Sequence, residues 1–383
     1  MQLSLTLMEQ FVVSARKYRP ATFDTVVGQL NITETLKNAI RNQHLAQAFL
    51  FTGSRGVGKT TVARILAKTI NCMDRTDAIE PCDQCDSCKS FNEGHSLNIY
   101  ELDAASNNSV DDIRTLIDQV RMAPQIGSHK VYIIDEVHML SSAAFNAFLK
   151  TLEEPPAHAI FILATTEKHK IIPTILSRCQ IFDFNRIRIP DMVNHLSSIA
   201  IKESIKAEDE ALHIIAEKAD GALRDALSIF DQQVSFSGNE LSYLNVIENL
   251  NILDYDYYFK ITDALLDNNI PSSLVLFNSI LSKGFEGHHF LNGLAGHFRN
   301  LMVCKSEESV SLLEVSEKIQ QKYKAQAKKI DHSFLFQSID ILIHADYQYK
   351  VSQNKRLLVE LSLMQMASLS LDGVEKKKPI NTK

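Results

Sequence analysis

The chain has 383 residues with a formal net charge of −6, and 45% of its residues are hydrophobic. A chain of this length can form two or three domains that each bury a core. The negative charge argues against a surface that coats nucleic acid throughout, although it leaves room for a local basic lining. No apolar run approaches the roughly 20 residues that span a bilayer, and no basic segment precedes an apolar one near Met1. We therefore expect a cytoplasmic protein without membrane contact.

The first half of the chain predicts a parallel α/β sheet, because short apolar strands alternate with helical patterns. The expected strands are Ala48–Phe51, Asn98–Leu102, Val131–Ile134, Ile160–Ala164 and Ile181–Phe184. Helices are expected between them, notably at Ser109–Arg121 and Ser142–Leu152.

From Asp191 onward, amphipathic periodicity predicts helices almost exclusively. One helical segment is expected over Pro190–Ser235 with a break at Gly221, and several more over Leu241–Ser370. The last of these is predicted as a single long helix over Phe334–Ser370, followed by a polar, disordered tail over residues 371–383.

A phosphate loop follows the first predicted strand and opens a helix. Its G-x-x-x-x-G-K-T pattern and the next residue are Gly53, Ser54, Arg55, Gly56, Val57, Gly58, Lys59, Thr60 and Thr61. Backbone N–H groups and a helix N-terminus would surround an anion here, with Lys59 on the β- and γ-phosphates and Thr60 on Mg²⁺. The alternative is a glycine-rich turn with a coincidental lysine. The strand–loop–helix context predicts that the chain binds a nucleoside triphosphate.

A second nucleotide signature is the apolar strand Val131–Ile134, which ends in two carboxylates. Asp135 would lie near the Mg²⁺ of a bound triphosphate, and Glu136 would orient and deprotonate the attacking water. Such a strand end is commonly structural, but its position after a phosphate loop favours the functional interpretation. His138 follows closely and is expected to be a packed residue at a helix start.

Four of the six cysteines lie close together, at Cys72, Cys82, Cys85 and Cys88. Disulfides are rare in the cytosol, where clustered cysteines favour a metal. Four thiolates at this spacing predict a closed, structural zinc site that stabilises a loop without a core of its own. An iron–sulfur cluster is the alternative, since soft thiolates suit both. Cys179 and Cys304 are expected to be small buried hydrophobic residues.

Two arginines are candidates for charge stabilisation. Arg178 follows a proline-bounded helix, and Arg224 lies in Gly221–Leu227. The residues alone do not distinguish either arginine from a solvated surface charge. In an ATPase, however, cations must neutralise the charge that develops on the γ-phosphate, and a neighbouring subunit can supply one of them.

Together these motifs resemble the gamma/tau family of bacterial DNA polymerase III, which belongs to the AAA+ ATPases and drives the sliding-clamp loader. The resemblance covers about the first 235 residues densely. It is carried by Ala15–Pro20, Phe23, Val26–Gln29, Gly53–Thr60, the four-cysteine insertion, Glu101–Ser106, Ile134–Leu140, Phe145–Pro156, Leu163–Thr166, Ser177–Cys179 and Leu223–Ser228.

The resemblance implies roles that the residues alone leave open. Thr165 would be sensor 1, which reports the γ-phosphate to the sheet. Arg178 would be the arginine finger for the ATP of the neighbouring subunit, and Arg224 would be sensor 2 in its own subunit. The adenine pocket would be lined by Tyr18, Arg19, Pro20 and Val27.

The resemblance also implies an order of domains. We expect an N-terminal extension over residues 1–14, an AAA+ ATPase domain over 15–187 with the zinc module at 72–88, a helical lid over 188–238, an all-α collar over 239–370 and the tail over 371–383. The collar would hold a five-subunit ring that includes other clamp-loader subunits and further copies of this chain.

The expected function is that of an ATPase motor, with ATP, Mg²⁺ and Zn²⁺ bound, that opens the sliding clamp and loads it on primer–template DNA. No polymerase active site is expected in the chain. DNA contacts would be to phosphate, and Ser106–Ser109 before the helix Val110–Arg121 is a candidate. A plain polar N-cap is an equal alternative there. The rival functions are an ATP-binding scaffold without hydrolysis and a P-loop phosphotransferase for a small molecule.

Overall fold

The computed structural model of the chain describes residues 12–124, 127–313 and 315–375, with side chains up to residue 369. The chain forms two compact units, one of Met1–Lys206 with Ile215–Ser235 and one of Ala207–Ile214 with Phe236–Lys383. No helix in the described part of the chain is long and apolar enough to cross a membrane. The division into extension, ATPase domain, lid, collar and tail stays a prediction.

The first unit is built on a five-stranded parallel sheet with the strand order β2-β3-β4-β1-β5. The strands are β1 (Ala48–Thr52), β2 (Ile99–Asp103), β3 (Lys130–Asp135), β4 (Ala159–Thr165) and β5 (Gln180–Asp183). Each predicted strand is confirmed to within one residue at both ends. Apolar runs bounded by polar residues therefore sufficed to locate the sheet.

Helices alternate with these strands, as the pattern predicted. They are α1 (Ser14–Lys17), α2 (Leu30–Arg41), α3 (Lys59–Asn71), α4 (Asp86–Asn92), α5 (Val110–Val120), α6 (Ser142–Glu153), α7 (Pro173–Leu176) and α8 (Ile189–Lys202), with short 3₁₀ helices at Phe23–Thr25, Val137–Met139 and Lys168–Lys170.

The predicted helical segment over Pro190–Ser235 contains more breaks than expected. After α8 the chain continues as β6 (Lys206–Ala207), α9 (Asp209–Lys218) and α10 (Leu223–Ser237). The break at Gly221 is confirmed, since this residue has a φ of 80°. The break before α9 was not predicted.

Alternate residues of the strands pack against helices on the two faces of the sheet. On one face, Phe49, Phe51 and Ile162 join a core with residues of α2 and α3. On the other face, Leu50 and Phe161 join a core with residues of α5 and α6. Because both faces are covered, the central strands are apolar except at their ends. This burial fixes the register that brings the strand ends together.

The second unit is helical, with one two-residue strand. Its further elements are β7 (Glu240–Leu241), α11 (Tyr243–Asn249), α12 (Tyr255–Leu266), α13 (Ile270–Ser282), α14 (Gly287–Val303), a 3₁₀ helix at Glu308–Leu312, α15 (Glu317–Ala327), α16 (His332–Tyr349) and α17 (Lys355–Glu375). Phe277, Phe290, Phe298, Leu335 and Leu363 lie in its core.

The prediction of one long helix over Phe334–Ser370 is wrong. Helix α16 ends at Tyr349, where the N–H groups of Val351 and Ser352 both donate to Gln348 O. The Asn354 side chain then accepts a hydrogen bond from Leu357 N at 3.0 Å and starts α17. Short polar side chains of this kind compete with helical hydrogen bonding and favour caps.

Helix α17 also corrects the predicted start of the disordered tail. The helix continues to Glu375, so residues 371–375 are helical. The rest of the predicted tail, residues 376–383, lies outside the described residues.

The aromatic packing of Phe161 in the central strand β4 gives a test of the sheet's core. Phe161 is fully buried, and its ring lies 5.5 Å from that of Tyr132 and 5.2 Å from that of Phe148. We expect Phe161→Ala to lower the free energy of unfolding by about 3–5 kcal/mol. Leu97→Ala, at an exposed apolar residue of the same unit, should change it by less than about 0.5 kcal/mol. Urea denaturation followed by circular dichroism measures both, and equal losses would contradict this packing.

Candidate functional site

The carboxyl ends of β1, β3 and β4 meet at one edge of the sheet. Thr52 pairs with Thr165 in the parallel ladder between β1 and β4. Asp135 ends β3, next to β4 in the sheet. Across this edge, Thr60 Oγ1 donates to Asp135 Oδ2 at 2.7 Å. The two residues predicted to hold Mg²⁺ are thus in direct contact, and their oxygens are the kind of ligand that Mg²⁺ prefers.

The phosphate loop between β1 and α3 requires glycine at its first position. Gly53 has a φ of 143°, and a Cβ there would lie 2.5 Å from Phe184 O. Gly58 has a φ of 105° and precedes the first turn of α3. Positive φ values are readily adopted by glycine alone, and they turn the loop so that α3 begins at its end. The positive end of the α3 dipole therefore faces the loop.

Lys59 lies buried within this loop. Its ammonium donates to Gly53 O and Ser54 O, both at 2.8 Å. Burial lowers the pKa of Lys59, and the nearby carboxylates of Glu136 and Asp135 oppose that shift. A buried ammonium held by carbonyl oxygens can exchange these bonds for stronger ones to phosphate oxygens.

A cavity of about 370 Å³ opens beside the phosphate loop. Its lining includes most of the predicted nucleotide-binding residues, namely Tyr18, Arg19, Pro20, Val27, Arg55, Gly56, Val57, Gly58, Lys59, Thr60, Thr61, Asp135, Glu136 and Arg224. Four of these, Tyr18, Arg19, Pro20 and Val27, are the predicted adenine-pocket residues, and they lie together. Thr165 and Arg178 are not part of this lining.

The four predicted adenine-pocket residues, called the adenine wall below, make polar contacts with the rest of the unit. Arg19 Nε donates to Thr61 Oγ1 at 3.3 Å, which joins this wall to α3. The Tyr18 hydroxyl donates to Glu203 at the end of α8. Burial and this carboxylate raise the pKa of Tyr18. The phenol therefore remains a neutral donor at physiological pH.

The first turn of α10 contacts the phosphate loop directly. Arg224 N donates to Gly56 O at 3.4 Å. The Arg55 guanidinium forms an ion pair with Asp225 Oδ2 at 3.0 Å. Arg224 thus lines the cavity from a helix that follows the sheet by about 40 residues in the sequence.

Glu136 adopts a backbone conformation that is unusual for a side-chain-bearing residue. Its φ of 47° lies in the left-handed region. Its carboxylate Oε2 accepts hydrogen bonds from Thr166 N at 3.1 Å and Thr166 Oγ1 at 2.9 Å. The left-handed conformation of Glu136 turns the backbone after β3 ends at Asp135. The two hydrogen bonds from Thr166 hold the carboxylate of Glu136 in place. This contact of Thr166 was not predicted from the sequence, because it joins residues 30 positions apart.

His138 is packed, as expected, with a side chain that is 6% exposed. It also connects the predicted sensor to the predicted catalytic carboxylate. Its Nδ1 lies 3.0 Å from Thr165 Oγ1 and 3.3 Å from Glu136 Oε2. Its Nε2 lies 3.4 Å from Glu167 Oε1. Thr165 therefore reaches Glu136 through His138.

Arg178 is exposed and lies outside the lining of its own cavity. Its guanidinium forms an ion pair with Glu153 Oε1 at 2.9 Å and donates to Thr174 O at 2.7 Å. Both contacts lie within the first unit and away from the cavity lining.

The four clustered cysteines converge as the spacing predicted. Their sulfur atoms all lie within 4.8 Å of one another, with 3.5 Å between Cys72 and Cys82 and 4.0 Å between Cys72 and Cys85. Zn–S bonds of about 2.3 Å in a tetrahedron place sulfurs about 3.8 Å apart. Backbone N–H groups of Cys82 and Cys85 also point at neighbouring sulfurs, both at 3.3 Å. The donor set therefore fits zinc.

The two remaining cysteines lie outside the cluster and are half-buried. Burial raises the pKa of the Cys179 thiol to about 11. Cys179 packs against the core of the first unit and Cys304 against that of the second.

The candidate DNA contact before α5 forms an N-cap. Ser109 Oγ accepts a hydrogen bond from Asp112 N and donates to Asp112 Oδ2. This capping box confirms the structural interpretation of the serine. The DNA contact of Ser106–Ser109 stays a prediction.

Three family models match the chain. One described as "DNA polymerase III, delta subunit" matches residues 28–188, and one described as "DNA polymerase III clamp loader subunit, ATPase lid domain" matches residues 191–239. The third, "DNA polymerase III subunits gamma and tau domain III", matches residues 245–380. Together they place matches along nearly the whole chain after residue 27.

Individual proteins are similar to the chain over most of its length. DNA polymerase III subunit tau of Bacillus subtilis is 41% identical over 93% of this chain and 63% of that protein. Subunit tau of Escherichia coli is 42% identical over 75% of this chain and 44% of that protein. The chain thus spans less than two thirds of both tau proteins.

A gamma subunit is matched from end to end. DNA polymerase III subunit gamma of Buchnera aphidicola from Acyrthosiphon pisum is 37% identical over 94% of this chain and 99% of that protein. Among solved structures, Thermotoga maritima RuvB aligns with 65% of this chain and 79% of the RuvB chain at 20% identity, with a TM-score of 0.47. On the family models and the gamma and tau relatives, the chain belongs to the DNA polymerase III gamma/tau family.

Proposed function

We propose that the chain is the ATPase motor subunit of a bacterial clamp loader, which opens a sliding clamp and loads it on primer–template DNA. The observation that carries the proposal is the contact of Thr60 with Asp135 beside buried Lys59, at a cavity that Glu136 and Arg224 also line. These are the groups that phosphoryl transfer requires, in a chain whose relatives are clamp-loader subunits.

Each residue of the cavity has a distinct task in ATP hydrolysis. Lys59 and the loop N–H groups bind the β- and γ-phosphates, while Thr60 and Asp135 provide oxygens for Mg²⁺. Mg²⁺ held by these oxygens would supply positive charge that neutralises the charge on the phosphates. Glu136 accepts the proton of the attacking water once its carboxylate leaves Thr166. Thr165 and His138 lie behind Glu136 and can transmit the presence of the γ-phosphate to it.

Arg178 completes the site from a neighbouring subunit in this proposal. Its absence from its own cavity, together with its exposed position, supports action in trans. Each ATP would then lie at a subunit interface, so nucleotide state and ring shape are coupled. ATP binding would favour a spiral that grips DNA and the open clamp, and hydrolysis would release both.

The proposed partners are other clamp-loader subunits and further copies of this chain in a five-subunit ring, the sliding clamp, and primer–template DNA in the cytoplasm. Helix α16 supports an assembly role, because Phe336, Ile343 and Tyr347 are 71%, 60% and 82% exposed. Their spacing places all three on one helical face. DNA contacts would be to phosphate groups, since loading must ignore sequence.

The proposed metal of the cysteine cluster is zinc with a structural role. Cys72, Cys82, Cys85 and Cys88 would hold it, which leaves no open coordination position for chemistry. When bound, zinc supplies folding free energy to the loop that carries these residues.

The catalytic carboxylate can be separated from nucleotide binding by a single substitution. We expect Glu136→Gln to lower kcat for ATP hydrolysis about 100-fold or more while the Kd for ATP changes little, because the amide cannot accept a proton. Lys59→Ala should weaken ATP binding itself. Phosphate release and equilibrium titration with a fluorescent ATP analogue measure the two effects.

Glu34→Gln, at an exposed residue of α2, is the matched control and should hydrolyse ATP normally. Stimulation of wild-type hydrolysis by primed DNA together with the clamp supports the loader. A chain that binds ATP without turnover under those conditions would be a scaffold, and phosphorylation of a small acceptor would identify a phosphotransferase.

Action of Arg178 in trans predicts complementation between two inactive variants. Arg178→Ala alone should lower hydrolysis about 1000-fold or more in assemblies of this chain. Mixing it with Lys59→Ala subunits should restore hydrolysis, since the latter supply intact arginines to intact phosphate loops. Steady-state ATPase assays across mixing ratios measure the recovery. Arg121→Ala should have no effect, and mixtures as inactive as their components would place Arg178 in cis.

The metal proposal predicts one zinc ion per purified chain by elemental analysis. We expect Cys85→Ser to lose zinc, because a serine hydroxyl is a poor zinc ligand compared with a thiolate. Cys304→Ser, outside the cluster, should retain it. Iron with matching inorganic sulfide would instead establish an iron–sulfur cluster.

A further inference from the structure

The loop that carries the four cysteines also carries a buried carboxylate, Glu80. This residue is 7% exposed. Its two carboxylate oxygens accept hydrogen bonds from Phe23 N at 2.8 Å and Asp24 N at 3.0 Å. The donors lie at the start of the 3₁₀ helix Phe23–Thr25, where backbone N–H groups lack partners within the helix. Glu80 therefore caps this helix from 57 residues away in the sequence.

A buried lysine completes this contact. Lys37 of α2 lies 2.8 Å from Glu80 Oε1 and 2.5 Å from Asp24 Oδ1. Removing Glu80 would leave the buried Lys37 with only the largely exposed Asp24 as a partner, and removing Lys37 would leave the buried charge of Glu80 without an ion pair, which is costly. The cysteine loop, the 3₁₀ helix and α2 thus share one interlocked set of polar contacts.

The capped helix lies between two parts of the nucleotide cavity's lining. Tyr18, Arg19 and Pro20 precede it, and Val26 and Val27 follow it. A shift of Phe23–Thr25 would therefore move both parts of the proposed adenine wall. Glu80 itself is not part of the lining and acts only through this backbone.

The position of Glu80 depends in turn on the cysteine loop. Thr76 and Glu80 close a turn through Thr76 N to Glu80 O at 3.0 Å and Glu80 N to Thr76 Oγ1 at 3.1 Å. Ile79 within this turn has a φ of 60°, which is strained for a β-branched residue. Such a conformation persists only where its surroundings impose it. Cys82, two residues after Glu80, anchors the turn in the metal cluster.

A second ion pair joins the same loop to the phosphate-loop helix. Asp83, directly after Cys82, lies 2.6 Å from Lys68 Nζ, and the Lys68 side chain is 5% exposed. Lys68 belongs to α3, which begins at Lys59 and ends one residue before Cys72. The cysteine loop therefore contacts α3 through Asp83 and the 3₁₀ helix through Glu80, and residues of α3 and residues on either side of the 3₁₀ helix line the cavity.

We propose that Glu80 is a positioning residue through which metal binding at the four cysteines sets the affinity of the cavity for ATP. The proposal rests on the ATP site of the proposed function. A metal-organised loop holds Glu80 against Phe23 and Asp24, and this fixes the adenine wall before ATP arrives. By thermodynamic linkage, bound ATP must raise the affinity of the cluster for its metal by the same factor.

The reciprocal effect can be measured without any assay of hydrolysis. The equilibrium distribution of zinc between the purified full chain and the chromogenic chelator 4-(2-pyridylazo)resorcinol is measured with and without ATP in excess Mg²⁺. We expect ATP to lower the Kd for zinc about fivefold or more, the lower end of typical coupling between sites. Lys59→Ala, which binds ATP poorly, controls for chelation of zinc by ATP itself.

Variants of Glu80 then test the route of the coupling. Glu80→Ala should retain one zinc per chain, bind ATP about fivefold more weakly and lose the effect of ATP on the Kd for zinc. Glu80→Gln keeps one acceptor oxygen and should give intermediate values. Glu93→Ala, at an exposed carboxylate directly after α4, should behave as wild type. A merely structural role would lower thermal stability without abolishing this nucleotide dependence.

The outcomes separate this inference from the proposed function. If the wild-type chain binds ATP but its Kd for zinc is unchanged by ATP, the coupling is refuted while the ATPase proposal stands. If the coupling persists in Glu80→Ala and Glu80→Gln, it exists but does not pass through Glu80. If the wild-type chain does not bind ATP in the equilibrium titration, the proposed function itself fails.

Discussion

The hydrogen bond between Thr60 Oγ1 and Asp135 Oδ2 is the contact on which the arrangement of the candidate site depends. The two residues are 75 positions apart in the sequence. They meet because β1 and β3 run parallel on either side of β4, so that their carboxyl ends lie at the same edge of the sheet. The register is fixed by apolar side chains on both faces of the sheet, where a slip of one residue would exchange the faces. The cores above and below the sheet therefore determine where two polar oxygens meet.

Within one chain, the cavity at the carboxyl edge of the sheet lacks one of the residues predicted to act in hydrolysis, Arg178. Lys59, Asp135 and Glu136 surround the cavity, and Arg224 reaches it from α10. Glu136, however, is held by Thr166, and Arg178 is paired with Glu153 outside the cavity. In the proposed mechanism both residues change partners for hydrolysis. We propose on this basis that an isolated chain binds ATP first and hydrolyses it when a neighbouring subunit contributes Arg178.

The elements predicted most accurately from the sequence are those specified by local patterns. The five strands, the phosphate loop and the four-cysteine spacing each depend on residues close together in the chain. The two helices that replace Phe334–Ser370 were predicted as one, because their periodicity continues while Asn354 supplies a cap inside it. A short polar cap was visible in the sequence but was outweighed by the long amphipathic pattern.

The features that sequence could not provide depend on distant contacts. Nothing local to Glu80 indicates that it binds the backbone at Phe23, and nothing near Thr166 indicates that it holds Glu136. His138 illustrates the same limit, since its packing was expected but its bridge between Thr165 and Glu136 was not. Such contacts follow from the order of strands in the sheet, which the sequence pattern leaves open.

We propose that one chain binds ATP but needs a second subunit to hydrolyse it. The most direct measurement is ATP turnover per chain over a wide range of protein concentrations, with ATP binding measured in parallel. We expect turnover per chain to rise steeply as subunits assemble, while the Kd for ATP changes little. Turnover per chain that is already maximal in the dilute monomer would contradict it.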